Sequence, residues 1–171
     1  MTIKRKLKLI IIFLCVFAVV LGCSKTKTDP RTVIPNNNTH TYYVSINGSD
    51  ANTGTINAPF KNINTALGKV VAGDTVLVRG GTYHEQIIFS KSGIAENNII
   101  VKAYPGEKPV IDGSNIIVTG WQALVTLSNV RYVTLEGFDI CNFLSSAFNT
   151  DPEGIAINGN SHDITIKNCS I

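Results

Sequence analysis

The stretch Asn129 to Ile140, Asn-Val-Arg-Tyr-Val-Thr-Leu-Glu-Gly-Phe-Asp-Ile, returns in altered form as Asn160 to Ile171, Asn-Ser-His-Asp-Ile-Thr-Ile-Lys-Asn-Cys-Ser-Ile. Val133 answers to Ile164, Leu135 to Ile166, Phe138 to Cys169 and Ile140 to Ile171, each pair 31 positions apart by subtraction. Val133-Thr134-Leu135 and Ile164-Thr165-Ile166 alternate with period two, as strands with one buried face do. Val125-Thr126-Leu127 matches Ile155-Ala156-Ile157 with a separation of 30, so the alignment needs a one-residue slip between strands. A unit this small cannot bury its own apolar face, and successive units must stack along one axis. The repeat therefore predicts a β-solenoid. Val133 should lie against Ile164 and Leu135 against Ile166 in interior ladders, spaced about 4.8 Å apart. Thr134 should face outward. Asn129 and Asn160 should stack at a sharp inward turn, where an Asn can satisfy backbone groups and bond to the amide above.

The rest of the chain fits that architecture. Tyr42-Tyr43-Val44-Ser45 is a short strand, followed by a run dense in Gly, Asn and Asp from Ile46 to Thr55. That run could hold a cation, but Asp50 is its single carboxylate, and an ordinary Asx-built turn is the simpler reading. From Pro59 to Leu67, Phe60, Ile63, Ala66 and Leu67 fall at helical spacing behind a Pro near the first turn. This amphipathic helix predicts an N-terminal cap, because a terminal coil exposes an apolar end and needs a cover. Strands follow at Thr75 to Val78, Gln86 to Phe89, Ile99 to Ala103 and Pro109 to Gly113, punctuated by Gly73-Asp74, Gly80-Gly81 and Pro105-Gly106-Glu107. No helical pattern interrupts them after Leu67, which excludes an α/β fold.

Residues 1 to 22 read as an export signal, with Lys4, Arg5, Lys6 and Lys8 ahead of an apolar run from Leu9 to Val20. The run is too short to favour a permanent membrane span. Its ending, Val20-Leu21-Gly22-Cys23, resembles the bacterial lipobox, which implies that Cys23 becomes a lipid-modified first residue; a plain secretory signal is the alternative. Ser24 follows where inner-membrane lipoproteins carry an acid, which leans the expected location towards the outer membrane. Residues 23 to 41, rich in Lys, Thr, Asn and Pro, read as a flexible tether. Without the four signal cations, 11 of the 15 basic side chains face 12 acidic ones. A near-neutral domain with no basic cluster gives no footprint for nucleic acid. Of the remaining cysteines, Cys141 and Cys169 are not at equivalent repeat positions, so the pattern implies no disulfide, and neither has metal-site spacing.

Several motifs occur together and in order: Tyr42-Tyr43-Val44-Ser45 with Asn47-Gly48-Ser49-Asp50, Ala58-Pro59-Phe60, Gly73-Asp74-Thr75-Val76, Gly80-Gly81-Thr82-Tyr83, and Tyr104-Pro105-Gly106-Glu107-Lys108-Pro109-Val110-Ile111-Asp112-Gly113. They resemble the N-terminal portion of right-handed parallel β-helix proteins of the pectin-lyase-like superfamily, across about Tyr42 to Ile171. The resemblance implies a right-handed parallel β-helix with an N-terminal capping helix, incomplete at the C-terminus because the chain stops at Ile171 inside an apparent strand. It implies a surface lipoprotein acting on polysaccharide, foremost a uronic-acid polysaccharide lyase or a related glycoside hydrolase. A non-catalytic scaffold that binds glycan or protein is the alternative. In such lyases a Lys or Arg abstracts the proton α to a uronic carboxylate while calcium or basic side chains neutralise it. The family's catalytic residues usually lie on later coils, so none carries over to a position here.

Arg79, Lys102, Arg131 and Lys167 are candidates by residue type alone, and scattered solvated charges are the plainer reading of each. His84 and Glu85 are adjacent strand residues that point to opposite faces, which favours a structural role over an acid-base pair. His162 has no partner in sequence. Asp139, Asp151, Glu153 and Asp163 could gather calcium around the loop from Leu144 to Glu153, though solvent-facing turn acids explain them equally. A monomer is expected.

Overall fold

The computed structural model describes residues 38–114, 116, 123–143 and 153–171. The expected signal at 1–22, Cys23, the expected tether up to residue 37, the loop residues 144–152 and Asp151 within them lie outside these. Eleven described strands carry the fold: β1 Thr41–Val44, β2 Thr75–Val78, β3 Gly81–Tyr83, β4 Ile87–Phe89, β5 Ile99–Ala103, β6 Pro109–Asp112, β7 Ala123–Ser128, β8 Arg131–Glu136, β9 Asp139–Cys141, β10 Glu153–Asn158 and β11 His162–Lys167. One helix, α1, spans Ile63–Leu67.

The strands wind into three parallel sheets. The first runs β1-β2-β5-β8-β11, the second β10-β7-β4 and the third β3-β6-β9. Each coil visits the second, first and third sheets in turn, which is the expected β-solenoid. Registers match the repeat: Val133 pairs with Ile164 and Leu135 with Ile166, while Val125 pairs with Ile155 and Leu127 with Ile157. Below them Ile99 pairs with Val133 and Val101 with Leu135. Val76, Val101, Val133 and Leu135 are almost wholly excluded from water. Each such side chain contributes at most about 1.5 to 3 kcal/mol of transfer free energy.

The slip of one residue has a local cause. Two residues, Asn129 and Val130, join β7 to β8, whereas three, Gly159 to Ser161, join β10 to β11. Gly159 is the extra one, at φ 63°, and a Cβ there would meet the Asn129 Oδ1 at 2.4 Å. The anticipated stacking of Asn129 and Asn160 takes this form: Asn129 Oδ1 accepts from the Asn160 backbone N–H at 3.1 Å, so the side chain satisfies a backbone group of the next coil. Asn129 turns this corner at φ 55°, and a second corner lies between the first and third sheets. There Gly137 (φ 84°) and Asn168 (φ 55°), 31 positions apart, both take the left-handed conformation that Gly and Asn tolerate best.

Three further expectations change in detail. The helix begins at Ile63, not near Pro59. Phe60 is extended and bridges Val44, donating to Tyr43 O and accepting from Ser45 N, so Pro59 stands outside the helix. The domain reaches ahead of Tyr42: Thr41 opens β1, and His40 N donates to Asp74 Oδ1 at 2.7 Å. Thr134 points outward yet is only 9% exposed, because it sits between Ile100 and Thr165 on neighbouring strands and Asn98 reaches it from the preceding loop.

α1 closes the first coil as a cap should. Ile63, Ala66 and Leu67 are its buried residues and join one core with Val44, Val76 and Ile87.

Candidate functional site

Outward-facing residues of the first sheet form their own ladders. Leu77 pairs with Lys102, Lys102 with Glu136, and Glu136 with Lys167. Charge thus alternates along three successive strands, as cross-strand stability favours. The corner beside this ladder is uneven. Two residues, Arg79 and Gly80, connect β2 to β3, and two, Gly137 and Phe138, connect β8 to β9; five, Tyr104 to Lys108, connect β5 to β6. The longer turn, closed by Glu107 N donating to Tyr104 O at 2.9 Å, stands proud of its neighbour. The step leaves an open groove of about 280 Å³ lined by Lys102, Tyr104, Glu107, Glu136, Gly137 and Asn168, among others.

The charges around this groove are unequally engaged. The Arg79 Nε lies 2.9 Å from both Glu107 oxygens, its Nη2 lies 2.7 Å from Oε1, and Gly80 N donates to Oε2 at 2.6 Å. Arg79 and the Gly80 N–H hold the Glu107 carboxyl below its ordinary range, and Glu107 in turn raises Arg79. The guanidinium also lies 4.5 Å from the Tyr104 ring centroid. Lys167 Nζ lies 3.2 Å from Glu136 Oε2, and Asn168 Nδ2 donates to Oε1 at 3.3 Å. Lys102 has no carboxylate partner among the described residues, although it lines the same groove.

The remaining candidates stay apart. Arg131 is exposed at the opposite end of β8 from Glu136, with its backbone N–H on Ser92 Oγ. His162 Nδ1 and Asp163 Oδ2 are 2.7 Å apart, an exposed neighbour contact. Asp139 Oδ1 meets Lys108 Nζ at 2.6 Å, and that ammonium leads the influences lowering its carboxyl. The described carboxylates do not fit a calcium site: Asp139 is ion-paired, Asp50 is filled by N–H donors, and no three metal-ligating side chains converge among the described residues. Glu153 opens β10 and is exposed.

His84 and Glu85 do diverge. His84 Nδ1 approaches Asp112 O at 3.2 Å on the exposed side. Glu85 instead reaches the start of α1, where Oε1 accepts from Ile63 N at 2.7 Å and Oε2 from Asn64 N at 3.1 Å and Asn64 Nδ2 at 2.8 Å. Burial pushes the Glu85 carboxyl up, against the pull of these donors. Asp50 serves the same end from the N-terminal loop: Oδ1 accepts from Lys61 N and Asn62 N, and Oδ2 from Asn62 Nδ2 at 2.6 Å. Slight burial raises Asp50, but its donors, led by Asn62 N, outweigh this and hold it low. Glu85 therefore satisfies two N–H groups that α1 cannot pair internally, and Asp50, 35 positions away, holds the two residues that lead into the helix. Sequence could not show this, since neither occupies the local capping position, Asn62.

Comparison with known proteins places this architecture. The chain is 34% identical to the uncharacterized protein YwoF of Bacillus subtilis (strain 168) over 126 residues, covering 73% of this chain and 27% of YwoF. It is 43% identical over 76 residues to pectate lyase PEL9 of Emericella nidulans, covering 43% of this chain and 18% of that enzyme. The chain thus spans less than a third of these relatives. Among solved structures it resembles a rhamnogalacturonan lyase, with a TM-score of 0.68 and 26% identity over 73% of this chain and 34% of the other. Residues 42–171 match the family described as "Pel9A-like, right handed beta helix region", and the chain belongs to that family of right-handed parallel β-helices.

Proposed function

We propose that this chain forms the capped N-terminal part of a cell-envelope protein that cleaves a uronic-acid polysaccharide by β-elimination. The observation that carries the reading is the family match over 42–171, together with relatives named as pectate and rhamnogalacturonan lyases. The described coils do not themselves hold the chemistry. Elimination needs a base within hydrogen-bond reach of the α-proton and a second positive group on the carboxylate. Here Arg79 is tied to Glu107, Lys167 to Glu136, and Arg131 lies at the far end of β8. Lys102, opposite Glu136 on β8, has no ion pair among the described residues and no second cation beside it in the groove lining. The reacting groups accordingly belong to other coils of the same protein. Anchoring through Cys23 rests on Leu21-Gly22-Cys23 behind a basic and apolar leader, and Cys23→Ser should abolish both acyl labelling and membrane retention.

The test has two arms. Purified 171-residue chain, incubated with polygalacturonate, alginate and chondroitin with and without calcium, should give no rise in absorbance from unsaturated product. The chain together with any coding sequence that follows codon 171 should give a steady, enzyme-dependent rise with at least one of them. Activity in the first arm would move the reacting groups into the first coils. Glycan retention without product in the second arm would favour the non-catalytic scaffold.

A further inference from the structure

The sequence has two Asn-Gly dipeptides, Asn47-Gly48 and Asn158-Gly159, and the fold treats them differently. An Asn ahead of a Gly is the pair best suited to react with itself, because the backbone nitrogen that follows the Asn is unhindered and can reach the side-chain carbonyl carbon. Two conditions decide whether that ring closes. The nitrogen must be free to lose its proton, and the carbonyl oxygen of the same peptide group must be able to hold the charge left behind. At Asn47-Gly48 the first condition fails: Gly48 N donates to Ser45 O at 2.8 Å, and a Cβ on Gly48 would run into Phe60 O, so the glycine is wedged against the residue that bridges β1.

Asn158-Gly159 meets both conditions. Both residues are exposed, and Gly159 N donates to no described residue. Asn158 O accepts from Asn129 N at 3.2 Å and from Ser161 Oγ at 2.8 Å. Leu127 O also lies within reach of the Ser161 hydroxyl, at 3.2 Å, but the contact with Asn158 O is the shorter. When the Gly159 nitrogen loses its proton, negative charge spreads onto Asn158 O, where two donors already point. Hydrogen bonds strengthened by charge in this way are the strong ones. The arrangement depends on the extra residue in this connection: Gly159 to Ser161 brings a hydroxyl back over Asn158 O, while the shorter connection of the coil below has only Asn129 and Val130.

We infer that Asn158 is a self-modification site of this chain, which loses its side-chain ammonia through a cyclic imide, with Ser161 as the positioning residue. Hydroxide from solvent takes the Gly159 N–H proton. The nitrogen then forms a bond to Asn158 Cγ, the Cγ–Nδ2 bond breaks, and ammonia leaves with a proton drawn from water. Water adds to either carbonyl of the ring and opens it, leaving an aspartate or an isoaspartate at position 158. The sum is Asn158 plus water giving a carboxylic acid plus ammonia, with no oxidant or reductant. Either product places a new negative charge beside Ser128 at the end of β10. The isoaspartate also routes the backbone through the former side chain, which lengthens the corner and removes the fit of Asn158 O to Asn129 N and Ser161 Oγ. None of this depends on the polysaccharide reading.

The experiment holds the unaltered 171-residue chain at mildly alkaline pH, folded and in parallel in urea, and maps aspartate and isoaspartate at positions 47 and 158 by mass spectrometry of timed digests. In the folded chain Asn158 should convert at least roughly tenfold faster than Asn47. In urea the two should convert at similar rates, since both precede Gly. Ser161→Ala should slow Asn158 by at least roughly threefold and leave Asn47 unchanged, while Ser161→Thr keeps the hydroxyl and should keep the rate. A Ser161 that merely braced the corner would act in the opposite sense, because loosening the corner speeds ring closure. Equal rates at the two positions in the folded chain, a ratio in urea that matches the folded one, or a Ser161→Ala chain in which Asn158 converts as fast or faster would each overturn the inference. The folded and urea arms use the unaltered chain, so they decide even if a variant folds poorly.

Discussion

The first and last described coils carry the same alternating pattern and bury it very differently. Around the first coil, Val44, Ile63, Val76 and Val78 are sealed from water, because α1 lies across the open end. On the last coil, the residues that continue the same ladders, Ile155, Ile164 and Ile166, are only partly buried, and Ile157 and Ile171 are 51% and 76% exposed. Nothing in the local sequence distinguishes Leu135 from Ile166. Burial in a solenoid is a property of the neighbouring coil, so an inward position counts in proportion to what is stacked on it.

The sharpest way to break this comparison is to place the same charge at both positions. Leu135 is flanked by Val101 on one side and Ile166 on the other, whereas Ile166 has Leu135 alone among the described residues. Leu135→Asp buries a carboxylate with no partner and should cost about 4 kcal/mol or more, enough to unfold a marginal domain. In the 171-residue chain Ile166→Asp can turn its carboxylate to water, since no described strand lies beyond β11, and should cost about half as much. Urea melts of the two variants decide it. Equal loss would mean that the last coil is covered as well as the middle one.

The cap gives the next largest effect. Glu85→Ala strands the N–H groups of Ile63 and Asn64 and frees α1 from the coil beneath, for an expected loss of about 2 kcal/mol. Hydrogen exchange should locate it: the Ile63 and Asn64 amides should lose protection well before those of Val133 and Leu135. Uniform loss across the stack would show that cap and coils open as one unit. The outer Thr ladder supplies the weak control. Thr165→Asp, on an exposed position of β11, should cost well under 1 kcal/mol, while Thr134→Asp should cost more, since Thr134 is shielded between Ile100 and Thr165.

How much of this was legible in the sequence follows from where the information resides. The 31-residue spacing fixed the pairing of Val133 with Ile164 because interior ladders need matched apolar side chains at matched heights. Strand β3 was not legible, since it opens on Gly81 and buries only Tyr83 of its three residues, which leaves no alternation to read. Phe60 was assigned to the helix because its spacing to Ile63 fits a helical face, while its actual place is set by pairing with β1. The roles of Glu85 and Asp50 depend on contacts across 21 and 12 positions, which no local pattern encodes. The groove escaped notice for another reason: it arises from a difference in turn length between stacked coils, visible only when the coils are laid over one another.

The smallest predicted effect is also the most specific, because the two carboxylates at the start of α1 titrate in opposite senses. The Glu85 carboxyl is pushed above its ordinary value by burial, so the folded state binds its proton more tightly than the unfolded chain does. Its contribution is fully present below the ordinary carboxylate range near about pH 4 and is lost as pH rises through the raised value. Asp50 is held below its ordinary value by its N–H donors, so its contribution is present above that range and is lost as pH falls through the lowered value. Glu85→Gln should therefore gain on the unaltered chain as pH rises from about 4 to 7, and Asp50→Asn should gain as pH falls from about 5 to 3. Both slopes should amount to less than about 1 kcal/mol, since Asp50 is solvated and Glu85 is offset by three donors. Stability measured by urea at half-unit pH steps reads the sign directly. Parallel slopes for the two variants would show that Glu85 reaches water, and that α1 does not seal the first coil as tightly as the comparison of the two ends requires.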